Sequence, residues 1–217
     1  MKQKTLLIVS ATLLILAFIG GALVYDAKRS EEAARAAQHN LSFLVRMHSP
    51  TQGKASAKVH IVEFFDPACG TCKAFYPFVK KLMAANPDKI KLSVRYAPFH
   101  DGSDIVVKML EAARKQGKFW EAMEAVLATQ EIWTRNHRAQ PQLVLNSLGG
   151  IGLNLERLQR EMDAPEIGAL VAQDIADGRA LNVKATPEFF VNGRPMPSFG
   201  YEQLKDLVET ALADAYR

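Results

Sequence analysis

Cys69 and Cys72 are the only cysteines in the chain, and they stand three residues apart. A disulfide between them closes a loop too small to stabilise a fold through chain entropy, so the pair points to chemistry. The apolar run Val59–Phe65 precedes it and a helical pattern from Lys73 to Ala85 follows. Cys69 therefore falls at a helix N-terminus, where unpaired N–H groups and the helix dipole favour a thiolate. Spacing of three puts both sulfurs on one helical face, within disulfide reach. Cys69 is expected to be the exposed attacking thiolate and Cys72 its shielded resolving partner. Half of a zinc site is the bland alternative, but no second cysteine pair and no closely spaced histidine pair supplies further ligands. No metal and no cofactor is expected.

Glu63 lies six residues before Cys69, inside an apolar strand pattern where an ionised carboxylate is costly. Two readings stand: a strand-end glutamate reaching solvent, or a buried carboxyl of raised pKa that moves the proton of Cys72. Asp66 reads as a helix-start residue near the surface and Pro77 as a kink in the first helix. His39, His48, His60, His100 and His137 show no ligand spacing and read as surface or loop residues.

The elements that position this pair follow from periodicity. Val59–Phe65 is apolar on both alternating faces, as a central strand is. Ile90, Leu92, Val94 and Tyr96 alternate with Lys91, Ser93 and Arg95, which predicts a strand with one buried face. Helical spacing fills about 102–181, with a break at Gly117 and pieces near 141–148, 154–163 and 165–180. Glu188–Val191, Asn192-Gly193 and Arg194–Phe199 predict a hairpin through a two-residue turn, its second strand at an edge because of Pro195 and Pro197. Leu204, Leu207, Val208, Ala211 and Leu212 form a last amphipathic stripe. Leu41–Met47 is expected as a first edge strand and Ser49–Lys58 as a loop.

Composition is that of a folded globular chain of 217 residues. The net charge of +4 falls to +2 without Lys2 and Lys4, and no stripe of basic and aromatic residues suggests a nucleic-acid surface. Thr5–Tyr25 is an uncharged stretch of 21 residues, long enough to span a bilayer core of about 30 Å. Its length favours an uncleaved anchor over a cleaved signal peptide, and either exports the remainder. Residues 26–40 read as a helical stalk. The expected organisation is an anchor or signal segment at 1–25, the stalk at 26–40, and one domain at 41–217.

The motif Phe64-Phe-Asp-Pro-Ala-Cys-Gly-Thr-Cys-Lys73, with Pro77 five residues beyond Cys72, resembles the thioredoxin superfamily. The helical insertion, Gln116-Gly-Lys-Phe-Trp120 and Ala185-Thr-Pro-Glu-Phe-Phe-Val-Asn-Gly193 resemble its DsbA-like branch, over about residues 55–214. The resemblance implies an α/β thioredoxin fold with a helical insertion. It implies a cis bond at Thr186–Pro187 facing the cysteines, where the residues alone leave an ordinary trans proline open. It also implies that the backbone there pairs with substrate peptide, so Thr186 and Pro187, with Gly70 and Thr71 between the cysteines, are expected to meet substrate. Glu63 matches the buried acid of thioredoxin-like proteins.

Gly70-Thr71 departs from the strongly oxidising relatives, which carry a histidine there. The implied function is a donor of disulfides to exported proteins through mixed disulfides, at the outer (periplasmic) face of a bacterial cytoplasmic membrane, reoxidised by a membrane redox partner. A reductase or isomerase kept reduced by a membrane electron carrier is the alternative, and a soft-metal chaperone holding Cu(I) is a third reading.

Overall fold

The computed structural model describes residues 2–136 and 138–217. His137 lies outside the described residues. The chain opens with one helix, α1 (Lys2–Leu44), continuous through the apolar segment and the stalk because nothing in it but Gly20 and Gly21 disfavours a helix. It is the one described helix long and apolar enough to cross a membrane.

Short strand β1 (Thr51–Gln52) follows, then β2 (Val59–Phe65), α2 (Gly70–Ala85) and β3 (Ile90–Tyr96). The insertion holds α3 (Ser103–Lys115), α4 (Phe119–Ala128), α5 (Gln130–Trp133), a small ribbon of β4 (Thr134–Arg135) and β5 (Arg138–Ala139), α6 (Pro141–Leu148), α7 (Leu155–Glu161) and α8 (Pro165–Ala180). Strands β6 (Glu188–Val191) and β7 (Arg194–Pro195) and helix α9 (Tyr201–Ala215) complete the chain. The main sheet is ordered β1-β3-β2-β6-β7. Strands β2 and β3 are parallel, from Val59 opposite Ile90 to Phe65 opposite Tyr96, while β6 runs against β2 with Val191 opposite Ile61. The parallel pair needs a crossover, which α2 supplies.

Asn192 and Gly193 take the positive φ of a two-residue hairpin turn, at 48° and 85°, and β7 is the sheet edge the prolines required. The insertion packs Val106, Leu110, Met123, Trp133 and Leu148 into a core shared with Cys72 and Tyr96. A second core joins Phe75 and Val79 of α2 to Phe189, Val191, Leu204 and Val208.

Three expectations fail. Leu41–Met47 is no strand: α1 runs on to Leu44, whose side chain is buried against Val62, Phe64, Ala97 and Phe190, and the edge strand is Thr51–Gln52 in the segment expected to be a loop. Gly53 makes that edge possible, since at φ 103° a Cβ there would meet the Ile90 carbonyl at 2.6 Å. Strand β3 is buried on both faces toward its end: the Ser93 hydroxyl meets Thr51 and His60, and Arg95 is held by α1 and α8. His60 is an inner-strand residue rather than a surface one. Its Nε2 bonds the Ser93 hydroxyl at 2.7 Å, and burial, helped by Lys91, lowers its pKa to about 4. Pro77 lies inside α2.

Candidate active site

Strand β2 carries the chain to Phe65, and a tight turn delivers Cys69 as the residue that caps α2, with extended backbone at φ −79° and ψ 117°. The Cys69 carbonyl accepts the first helical bond, from the Lys73 N–H at 3.2 Å, while Gly70 and Thr71 are exposed in the first turn. Both cysteines are free thiols. Cys72 is fully buried, whereas Cys69 keeps 7% of its surface, less open than an exposed nucleophile. The reason is the loop opposite: the Cys69 thiol donates to the Thr186 carbonyl at 3.2 Å, and the Thr186–Pro187 bond is cis.

The electrostatics of the two sulfurs are opposed. A hydrogen bond from Cys72, one from Thr186 and the N–H groups of Cys72 and Thr71 hold Cys69 at a pKa of about 5, against the cost of burial. Burial pushes Cys72 well above the ordinary thiol range, reinforced by its bond to Cys69 and by the charge of Glu63. Glu63 is 2% exposed, and its Oε1 has no hydrogen-bond partner. Burial, with the neighbouring Cys69 charge, raises its pKa to about 8. Glu63 is thus a buried strand residue and does not reach solvent.

Asp66 is not the surface helix-start residue expected. It is fully buried and binds the turn together: Oδ1 accepts from the Ala68 N–H at 2.9 Å, and Oδ2 from the Phe99 and His100 N–H groups at 2.7 and 2.9 Å. His100 Nδ1 sits 2.8 Å from the same oxygen. Sequence reasoning missed Gln130 altogether. Its buried amide Nε2 donates to the Pro67 and Cys69 carbonyls at 2.8 and 3.0 Å, tying the insertion to the turn before α2. Sixty-one residues separate Gln130 from Cys69, and no local pattern joins them. Among the described residues, no group of three or more His, Cys, Asp or Glu could hold a metal ion.

Residues 46–210, well over half of the chain, match the family model described as Thioredoxin. This chain belongs to the thioredoxin family. A thioredoxin-like oxidoreductase from Silicibacter pomeroyi DSS-3 shares the fold at a TM-score of 0.68 and 33% identity, over 79% of this thioredoxin-family chain and 96% of that one. Disulfide bond formation protein D of Bacillus subtilis (strain 168) is 28% identical over 176 residues, 75% of this chain and 77% of the relative. The Na(+)/H(+) antiporter NhaA of Herminiimonas arsenicoxydans is 31% identical over 143 residues, 66% of this chain. The chain spans between 22% and 25% of the length of that antiporter and two like it from Salinispora.

Proposed function

We infer that this thioredoxin-family chain is a DsbA-type protein thiol–disulfide oxidoreductase that donates disulfides to exported proteins through Cys69 and Cys72. The carrying observation is the asymmetry of the pair: Cys69 caps α2 against the Thr186 carbonyl while Cys72 is fully buried, which holds the first thiol at a pKa of about 5 and drives the second the other way. A stabilised Cys69 thiolate favours the reduced pair, and a protein whose reduced form is stabilised is a strong oxidant. This compensates for the missing histidine between the cysteines.

In the donor reaction a substrate thiolate attacks the Cys69 sulfur, the Cys69–Cys72 bond breaks, and Cys72 leaves and takes up a proton. A second substrate thiolate then attacks the substrate sulfur of the mixed disulfide. The substrate disulfide forms, and Cys69 leaves as thiolate. Glu63, with a pKa raised to about 8, gives and takes the proton of Cys72. Gly70, Thr71, Thr186 and Pro187 form the rim against which substrate backbone lies. Helix α1 anchors the domain outside a bacterial cytoplasmic membrane, and a membrane-bound redox partner restores the disulfide. Disulfide bond formation protein D, by its name, is a relative of matching activity.

Equilibration with glutathione tests the reading. A potential near the DsbA value of about −120 mV supports the donor, and one near the thioredoxin value of about −270 mV would replace it with a reductant.

A further inference from the structure

Helix α1 is fastened to the domain at two heights. Near the start of β2, Asn40 Nδ2 donates to the Gly193 carbonyl at 2.9 Å, and a Cβ on Gly193 would fall against the Ala37 backbone. Gly193 sits at that end because β6 runs against β2, with the Asn192 N–H bonded to the His60 carbonyl at 3.0 Å. Near the finish of β2, the fully buried Arg95 guanidinium donates to the Phe43 and Leu44 carbonyls at 2.6 and 3.1 Å. Arg95 lies opposite Phe64, the penultimate residue of β2. Helix α1 therefore ascends the sheet in the direction of β2, toward the end where Cys69 lies, and its apolar segment leaves from the opposite end. The upper fastening is stiff, since Arg95 also meets Asp174 and Asp177 at 2.7 and 2.6 Å, and Arg46 binds both oxygens of Asp177.

We propose that α1 holds the redox end of the domain turned away from the bilayer, about 25–30 Å above it. Its exchange partners are then cysteines carried at that height in the aqueous space, not cysteines at the membrane surface. The figure is the helical rise over the 19 residues from Tyr25 to Leu44, at about 1.5 Å each and shortened slightly by an ordinary tilt. A membrane-bound partner meets Cys69 only through a segment or domain that stands that far out. The proposal rests on the readings of α1 as an anchor and of the cysteines as a disulfide donor, and it deepens both.

The test uses the oxidised full-length chain in dilute liposomes with two dithiols: soluble dithiothreitol, and a dithiol fixed by a short spacer to a lipid headgroup of the same vesicle. In each case the probe is oxidised to its disulfide and Cys69 and Cys72 are reduced. A second protein carries about 20 Gly and Ser residues inserted after Ser30, below the fastened part of α1, which frees the domain to turn. Both proteins should oxidise dithiothreitol equally. The insertion should speed oxidation of the lipid dithiol at least tenfold. Equal rates on the lipid dithiol would overturn the proposal. No oxidation of dithiothreitol would overturn it together with the donor reading, and failure of the chain to float with the vesicles together with the anchor reading. Energy transfer to acceptor lipids gives a second measure: a dye on Cys69 in C72S should transfer less than a dye on Lys58→Cys in C69S/C72S, and the reverse order would overturn the orientation.

Discussion

The Cys69 sulfur and the Thr186 carbonyl lie 3.2 Å apart, so the start of α2 and the residue before Pro187 are joined directly. The same threonine also supplies a side-chain hydrogen bond that lowers the Cys69 pKa. Thr186→Val keeps the shape and removes that donor. A hydrogen bond to a charged group contributes about 1.5–3 kcal/mol, so the Cys69 pKa should rise by about 1–2 units. Thiolate absorbance at 240 nm across a pH titration reads the shift, and an unchanged value would show that the hydroxyl does not reach the thiolate.

The Cys69 value also sets a pH dependence. Its folded pKa of about 5 lies below the unfolded thiol value of about 8.5, so ionisation favours the folded state. That stabilisation is complete above about pH 8.5 and is lost as the pH falls through about 5. The reduced protein should gain stability over the oxidised protein as pH rises across this window. Alkylation at pH 6 should then modify Cys69 far faster than the buried Cys72, and C72S should accumulate mixed disulfides that C69S does not. Equal labelling of the two thiols would remove the assignment of Cys69 as nucleophile.

Glu63 works in the opposite sense. Its folded pKa of about 8 is above the unfolded value of about 4.3, so ionisation opposes folding. The penalty is absent below about pH 4 and fully present above about pH 8. Glu63→Gln should therefore match the native protein near pH 4 and exceed it increasingly up to pH 8 in denaturant midpoint. It should also slow the attack of Cys72 on a mixed disulfide at Cys69, with the first attack by Cys69 nearly unchanged. Stopped-flow traces separate the two steps. A variant less stable than the native protein, with unaffected resolution, would make Glu63 a structural strand residue.

The redox pair, Glu63 and the hairpin were legible because each is a local pattern: a spacing, a charge in an apolar run, a turn dipeptide. The helices at Pro141–Leu148 and Pro165–Ala180 lie where periodicity puts them, and each has a proline in its first turn. What stayed hidden are partners distant in sequence. Arg95 reads as the polar side of an alternating strand until Asp174 and Asp177, about eighty residues on, neutralise it. Asp66 looks like a surface cap because its partners, Phe99 and His100, come from the loop after another strand. Leu41–Leu44 has β-compatible residues but continues a helix whose final carbonyls accept hydrogen bonds from Arg95.

That buried cluster has its own consequence. Asp174 accepts from Arg95 Nε and from the Tyr96 N–H at 2.7 and 2.9 Å, and it is fully buried. Asp174→Ala leaves Arg95 with only one of its two carboxylates and orphans the Tyr96 N–H. Breaking one side of a buried ion pair costs about 3–5 kcal/mol. Urea unfolding of the soluble domain should show a loss of this order, with the Cys69 pKa unmoved. A loss below about 1 kcal/mol would mean that the cluster is solvated and does not clamp α1.

Gln130 reaches from the insertion into the turn before α2 and bonds it with its side chain. Its Nε2 donates to the Pro67 carbonyl at 2.8 Å and the Cys69 carbonyl at 3.0 Å, with only 4% of the residue exposed. These bonds fix the turn that presents the Thr71 and Cys72 N–H groups to the Cys69 sulfur, two of the donors that hold its pKa down. Gln130→Met preserves length and burial but donates nothing, leaving the Pro67 and Cys69 carbonyls each without its donor from the insertion. The turn should loosen, the Cys69 pKa should rise by about 0.5–1 unit, and the disulfide should become a weaker oxidant. Stability should fall by about 1–3 kcal/mol, chiefly from the Pro67 carbonyl, because the Cys69 carbonyl keeps its bond from the Lys73 N–H. Thiolate titration and glutathione equilibration on the folded variant distinguish the two roles open to Gln130. If the denaturant midpoint drops while pKa and potential stay put, Gln130 only docks the insertion; a shift in both makes it a positioning residue for the nucleophile.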